Sequence, residues 1–408
     1  MDKKRAGWLA YLLAVFAAAW LLIEVPKRVG FVVDNGIAPT STQRPVIQSE
    51  FISAGLTAEV HSATAVELAD GDIGAFWYAG SREGSADVAI YSRFLEKRNN
   101  TENPVWSEVR QVIDRSRSID GLHRHIRKLG NPVALEYEDK LWLFYVTVSV
   151  GGWGGSSLNL IKSSDHGKSW SSPKRLITSP FLNISTLVKE RAVISEDGSV
   201  LLPVYHEFIG KFSELLHLDP QGKVVDKYRI THGREAIQPV VVPMTQEKAV
   251  VFMRNVTQSE ASAILTSQTD DVGRNWAPSS MLDLPNPNAA ITSVSLDRPN
   301  ELLLVFNNDV AQRSDLTLAY AENYRAGESG QWRIIYEFEN QANQKFGEEK
   351  IHNPYSYPFL IKTNTGDFHI FYSWKRRCIK HVFFNRAALN EMLSKKSDTD
   401  LEWKVGFN

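Results

Sequence analysis

The chain has 408 residues, of which 43% are hydrophobic, 11% aromatic and 23% charged, with a formal net charge of -1. That composition excludes wholesale disorder and fibrous repeats, and the balanced charge argues against a nucleic-acid binder, which carries a basic excess. A single cysteine, Cys378, excludes an internal disulfide framework, so stability must come from buried apolar area, much of it aromatic.

In chain order, residues 7–23 (GWLAYLLAVFAAAWLLI) carry no charge and follow Lys3, Lys4 and Arg5. At about 1.5 Å per residue the stretch is just long enough to cross a thin hydrocarbon core. Basic residues ahead of it favour a cytoplasmic N-terminus. The expectation is therefore a basic tail over 1–6, a transmembrane signal-anchor over 7–23 and an exported body, in a bacterial periplasm. A cleaved signal peptide is the alternative, since Ala17, Ala18 and Ala19 are small, although the apolar run continues through Ile23. Residues 24–49, with Pro26, Pro39 and Pro45, read as a linker. Sequons at Asn99, Asn183 and Asn255 matter only in a glycosylating host.

From residue 50 to 385 the chain is dominated by short apolar or alternating runs, at 73–78, 141–148, 200–205, 249–253, 302–306, 316–320 and 368–374. They are rich in Val, Ile, Phe, Tyr and Trp and are bounded by turns such as Asp70-Gly71, Asp197-Gly198, Gln221-Gly222 and Thr365-Gly366. These are strand signals, and no long 3.6-residue period competes before the tail. Residues 386–396 read as one short helix within a tail, 386–408, that closes or flanks the body.

A turn motif recurs. Ser163, Asp165, Gly167 and Trp170 form S-x-D-x-G-x-x-W, and Thr269, Asp271, Gly273 and Trp276 repeat it with Thr leading. The Asp and the hydroxyl suit the backbone amides of a tight hairpin, Gly supplies a left-handed residue, and Trp packs the turn on its sheet. Weaker echoes surround Trp106 and Trp332. A spacing of roughly 55 residues gives about six units, the size of four-stranded propeller blades. The fold expected is all-β, a six-bladed β-propeller behind an N-terminal transmembrane helix.

These turns resemble the Asp-box of the sialidase (BNR-repeat) families. Residues 61–94 (HSATAVELADGDIGAFWYAGSREGSADVAIYSRF), LGNPVALE at 129–136, PVYHE at 203–207, LPNPNAA at 284–290 and SYPFLI at 356–361 are similar to the bacterial sialidase-like, predicted-neuraminidase family. The resemblance implies a propeller with its active site at the central end of the blades. It also implies three arginines on the substrate carboxylate, a tyrosine nucleophile assisted by a glutamate, and an aspartic acid as proton donor. A neutral phenol suits an anionic sugar, an exception to the two-carboxylate pattern.

On that resemblance, Arg254 and Arg313 correspond to the second and third clamp arginines, whose planar guanidinium groups fork onto a carboxylate. Asp87 corresponds to the acid/base aspartate, with Arg82 beside it and Glu83 competing for the acid role. Tyr355 and Tyr357 compete for the nucleophile. Residue order favours Tyr355, and distance to Gly366 favours Tyr357, the preferred choice. Two departures stand out. His61 occupies the strand where the first clamp arginine belongs, and Gln238 falls where the assisting glutamate belongs, leaving Glu235 or Glu207 as substitutes, because Gln is no base. His61 could itself touch substrate or exchange a proton. His206, Glu207 and Asn131 are expected to line the same cavity, Trp153 to cover a sugar face, and Lys375, Arg376, Arg377, Lys380 and His381 to form a basic patch.

No P-loop, G-x-S-x-G elbow, H-E-x-x-H or cysteine cluster occurs, so neither cofactor nor metal is implied. The function expected is a glycoside hydrolase of the sialidase-like type acting on an acidic oligosaccharide or polysaccharide. The alternatives are a polysaccharide lyase on a uronate-containing glycan and a non-catalytic glycan-binding propeller.

Overall fold

Short β-rich runs separated by tight turns give six antiparallel sheets in the computed structural model, which describes residues 29–33, 44–97, 104–179, 181, 183–257, 262–341 and 352–395. Blade 1 runs Glu59–Glu67, Ile73–Gly80 and Ala89–Glu96, with Val105–Trp106 and Arg110–Ile113 sharing its outer edge. Blade 2 runs Lys128–Tyr137, Lys140–Val148, Ser156–Ser163 and Lys174–Arg175. In blade 3 the inner edge is split into Leu187–Val188 and Val193–Ile194, followed by Val200–His206, Phe212–Leu218 and Val224–Arg229. Blade 4 runs Ala236–Pro243, Ala249–Asn255, Ala263–Thr269 and Ser280–Pro285. Blade 5 runs Thr292–Ser295, Leu302–Phe306, Asp315–Ala321 and Arg333–Asn340.

Blade 6 closes the ring with both ends of the body. Tyr355–Lys362, Phe368–Trp374 and Cys378–Phe384 come from the C-terminal side, and Ile47–Phe51 adds the outer strand. The expected six-bladed propeller is what forms. First strands of neighbouring blades touch each other, so they line the central channel. The apolar core is correspondingly a ring of layers, one between each pair of adjacent blades, such as that joining Phe144 and Trp142 of blade 2 to Leu202 and Val204 of blade 3.

Strand direction alternates within a blade, so the starts of first strands and the loops between second and third strands share one face, here the upper. Turns between third and fourth strands lie on the lower face. Both Asp-boxes are there. Asp165 accepts from Ser163 Oγ and Ser169 N, both at 2.8 Å, Gly167 sits at φ 75°, and Trp170 Nε1 donates to Gly167 O at 3.2 Å. The second copy repeats this with Asp271, Thr269 Oγ1 (2.8 Å), Asn275 N (2.9 Å) and Trp276 Nε1 on Gly273 O (2.9 Å). The Ser169 hydroxyl, which donates to the other carboxylate oxygen, and then Ser169 N and Ser163 Oγ hold the Asp165 carboxyl down at about 2. The motif is therefore a staple, remote from the upper face.

Two features depart from the expected organisation. The segment 24–49, read as a linker, contributes the start of the closing strand. It also contributes Phe31, which is fully buried between blades 3 and 4, its backbone N–H on Gln246 O at 2.7 Å. These contacts are long-range, and proline-rich local sequence hides them. A helix at Arg115–Leu122, capped by Asp114 on Arg117 N at 2.8 Å, precedes blade 2 and carries no strong apolar period. The helix read at 386–396 spans Arg386–Ser394 and buries Ala388, Leu389 and Met392 on the layer between blades 5 and 6. The signal-anchor expected at 7–23 lies outside the described residues, and among the described residues no helix is long and apolar enough to cross a membrane.

Candidate active site at the upper end of the channel

Regular first strands would point alternate side chains into the channel, but four of the six are interrupted near their upper ends. Register shifts fall at His61/Thr64, Gly130/Pro132, Ile237/Val240 and Ser356/Phe359. A bulge inserts a residue and re-aims its side chain. Three of the residues involved hold a left-handed backbone that non-glycine residues rarely adopt: Ser62 at φ 53°, Gln238 at 54° and Tyr357 at 55°. Asn288, just ahead of the first strand of blade 5, has φ 53° as well. Such strain is kept where the surroundings over-determine it, often at functional sites.

The bulges bring His61, Asn131, Gln238 and Tyr357 toward one another. The rings of His61 and Tyr357 meet edge to face at 4.4 Å, and His61 lies 5.8 Å from Tyr78. His61 is 3% exposed and neither ring nitrogen has a partner. Burial, then the positive charges of Arg376, Arg313 and Arg254, hold its imidazole well below the usual range and therefore neutral. A buried polar ring with nothing bonded to it costs free energy unless a ligand completes it.

Around this ring stand three arginines from three blades. Arg254, at the end of the second strand of blade 4, donates through Nε to Asn288 Oδ1 (2.6 Å) and through Nη1 to Gln238 Oε1 (3.3 Å). Arg313, ahead of the third strand of blade 5, donates through Nη2 to Asn288 O (2.8 Å), while its Nε is buried without a partner. Burial and the neighbouring Arg254 charge bring Arg313 down to about 10. Arg376, in the hairpin between the second and third strands of blade 6, reaches Glu83 Oε2 at 3.1 Å and Glu59 Oε2 at 3.9 Å. Beneath them Tyr205 takes Asn131 Nδ2 (3.4 Å) and Gln238 Nε2 (3.5 Å) on its hydroxyl, and burial holds that phenol well above its usual range. Asn131 also donates to Val188 O at 2.9 Å.

Residues 71–370 match the BNR repeat-like domain family. The chain belongs to this sialidase-like family. Among solved structures it is similar to a sialidase of Streptococcus pneumoniae at 10% identity, covering 83% of this chain and 70% of that one with a TM-score of 0.63. An intramolecular trans-sialidase from Ruminococcus gnavus matches at 14% identity, over 83% and 97%, with a TM-score of 0.61. A Trypanosoma rangeli sialidase matches at 15%, over 83% and 56%, with a TM-score of 0.61. At these identities the likeness is one of fold. No curated protein matches the chain by sequence.

Other sequence-chosen residues of this BNR propeller lie elsewhere. Tyr355 is 2% exposed in the layer between blades 5 and 6, with the core and away from the His61 ring. Asp87 is exposed and spends both oxygens on Ser81, through N at 2.8 Å and Oγ at 2.9 Å, which hold its carboxyl below the usual range. Arg82 is exposed on the same loop. Glu83 is the carboxylate of that loop that reaches the arginines. Glu207 sits at the upper end of blade 3, its N–H on Ser185 Oγ at 2.8 Å, whereas Glu235 folds back on Arg234 N at 2.7 Å.

His206 leaves the cavity altogether: it pairs with Glu214 at 2.8 Å and stacks on Phe212. The expected basic patch is dispersed as well. Lys380 pairs with Glu339 at 2.5 Å and His381 is buried against His369, so only Arg376 of that run joins the site. Strand alternation explains it, because consecutive residues face opposite sides. Trp153 lies beside the cavity under Lys128 Nζ at 3.8 Å, packed on Gly130, where an added Cβ would come within 2.6 Å of the indole. The segments LPNPNAA and PVYHE hold Asn288 and Tyr205, and nothing in them marks either for a role. Asn-Pro-Asn and an apolar strand tyrosine are too common to signal one. No cluster that could hold a metal occurs among the described residues.

Proposed function

We propose that this protein is a sialidase-like glycoside hydrolase acting on an acidic sugar of a cell-surface or extracellular glycan. The observation that carries the reading is the convergence of Arg254, Arg313 and Arg376 on the unpartnered His61 ring beside Tyr357. A cavity with three guanidinium groups and unmet hydrogen-bonding capacity favours an anion that also carries hydroxyls. Arg376 stands in for the arginine missing from the His61 strand.

In this reading the Tyr357 oxygen bonds to the anomeric carbon as the bond to the glycosidic oxygen breaks. The phenolic proton passes to solvent at the upper mouth while the nearby Arg313 charge stabilises the developing phenolate, and water then displaces the tyrosine to release the sugar. Gln238 cannot take the phenolic proton, but it orients Arg254. Glu83 is assigned as proton donor in preference to Asp87. A substrate carboxylate that draws Arg376 away from Glu83 Oε2 frees that carboxyl to face the departing glycosidic oxygen. Incubation of the full chain with aryl sialosides and acidic oligosaccharides, read by mass, tests this. Addition of water supports hydrolysis, and no product from any of them overturns it.

A lyase is favoured by one specific observation, the neutral imidazole of His61 against a tyrosine amid arginines, which suits proton abstraction beside a neutralised uronate carboxylate. An unsaturated product distinguishes it. The reading also includes a membrane anchor at 7–23 and an extracytoplasmic body. Resistance of the protein to alkaline extraction and protease access to the propeller in spheroplasts test that placement.

A further inference from the structure

The inner edge of blade 3 is the one that breaks in two, between Leu187–Val188 and Val193–Ile194. Of the four residues between the pieces, the first three, Lys189, Glu190 and Arg191, are charged, and Lys189 and Glu190 are 2% and 1% exposed. They cross the channel. Lys189 Nζ donates to Ile291 O at 2.8 Å, beside blade 5, and to Pro358 O at 2.6 Å, in blade 6 directly opposite, and it pairs with Glu190. Glu190 Oε2 accepts from Thr292 Oγ1 at 3.3 Å, and that hydroxyl in turn accepts from Leu360 N at 3.2 Å. Arg191 donates to Leu360 O, with its guanidinium 5.3 Å from the Phe359 ring.

Every one of these contacts to blade 6 falls within three residues of Tyr357. The bulge at Ser356/Phe359 frees Pro358 O from the sheet ladder, and Lys189 supplies the donor that the ladder does not. Taking an ammonium and a carboxylate out of water costs several kcal/mol per ion, and apolar residues of similar volume would stabilise such a position as well or better. Three ionic residues in a row at the channel floor therefore call for a role in geometry. Tyr357 needs one, since a left-handed tyrosine relaxes unless its neighbours hold it.

We infer that the Lys189–Glu190 pair is the positioning device for Tyr357, bolting its bulge to blades 3 and 5 from across the channel. The inference rests on the reading of Tyr357 as nucleophile, while the bolt itself is measurable without any substrate. It also makes the site a blind pocket, entered and left by the upper mouth.

The test compares full-length wild type with Lys189→Met/Glu190→Gln, which removes both charges together, and with Leu160→Ala, a core truncation in blade 2 that lowers the melting temperature without touching the bolt. Amide hydrogen exchange over residues 353–362 is expected to rise about tenfold or more in the double variant, the loss of one charge-assisted hydrogen bond, and to stay near wild type in Leu160→Ala. Turnover of a methylumbelliferyl sialoside is expected to fall in kcat with KM little changed. Unchanged exchange over that segment, or equal acceleration in Leu160→Ala, overturns the bolt. Local acceleration in a protein whose wild type turns over nothing upholds the bolt and overturns the nucleophile reading instead.

Discussion

Removing Arg376 and removing Arg313 should weaken an acidic-sugar ligand to very different degrees. The Arg376 side chain is 45% exposed and is already paired with Glu83 at 3.1 Å, so a ligand carboxylate only exchanges one anion for another in a screened setting. That exchange contributes about 1 kcal/mol, or roughly fivefold in Kd. Arg313 is mostly buried, tied to Asn288 O at 2.8 Å, and its Nε has no partner, so a bound carboxylate meets an unspent donor in a poorly solvated place. Its loss should cost about 3 kcal/mol, near 150-fold. Calorimetric titration of an unsaturated sialic-acid analogue into wild type, Arg376→Gln and Arg313→Gln measures both. Repeating it at high salt should shrink the Arg376 effect and leave most of the Arg313 effect. Equal losses for the two variants, or none for either, would refute the assignment of these arginines to the ligand.

Tyr357→Phe should abolish turnover while leaving affinity for the same analogue nearly intact. Tyr355→Phe, in the core, should cost about 1 kcal/mol of stability and leave kcat near wild type. His61, His369 and His381 are all buried with lowered pKa, burial being the first cause. The unfolded chain then binds more protons once the pH falls below about 6.5, so stability is full at neutrality and declines on acidification, by at most about 2 kcal/mol per histidine at pH 5. Urea midpoints that stay level from pH 7.5 to 5 would contradict this. Gly130→Ala should push Trp153 off its seat and weaken longer oligosaccharides more than the monosaccharide analogue, compared by titration.

Much of the fold was legible because its signals are local. Asp165 and Asp271 with their glycines and tryptophans announce hairpins whatever surrounds them, and alternating apolar runs announce strands. The closing strand Ile47–Phe51 was not, because its burial in a sheet depends on a partner more than three hundred residues away, and its own five residues are all exposed. The site divides similarly. Arg254 and Arg313 could be chosen because their places beside strands resemble those of the family's clamp arginines, but Arg376 hides in a run of basic residues, and it is singled out only by the hairpin at Lys375 and Arg376, both at positive φ. The bulges carry no sequence mark at all. His61, Gln238 and Tyr357 stand out only through the family resemblance, and it is the register shifts that turn them inward.

The sheet of blade 6 joins Ile47–Phe51 to Cys378–Phe384, so among the described residues the first strand in the chain is a partner of the last. A ribosome delivering this chain in order leaves that early strand unpaired until nearly the whole body has emerged. The layers between blades 1 and 2, 2 and 3, and onward can assemble as they appear, but the layer between blades 6 and 1 cannot. Completion of the ring is then a single late event, and His61 and Tyr357, which belong to the two blades on either side of that seam, come together only when it closes. A chain halted short of its final strand should hold most of its sheets and the Arg254–Arg313 side of its pocket, but not the contact of His61 with Tyr357.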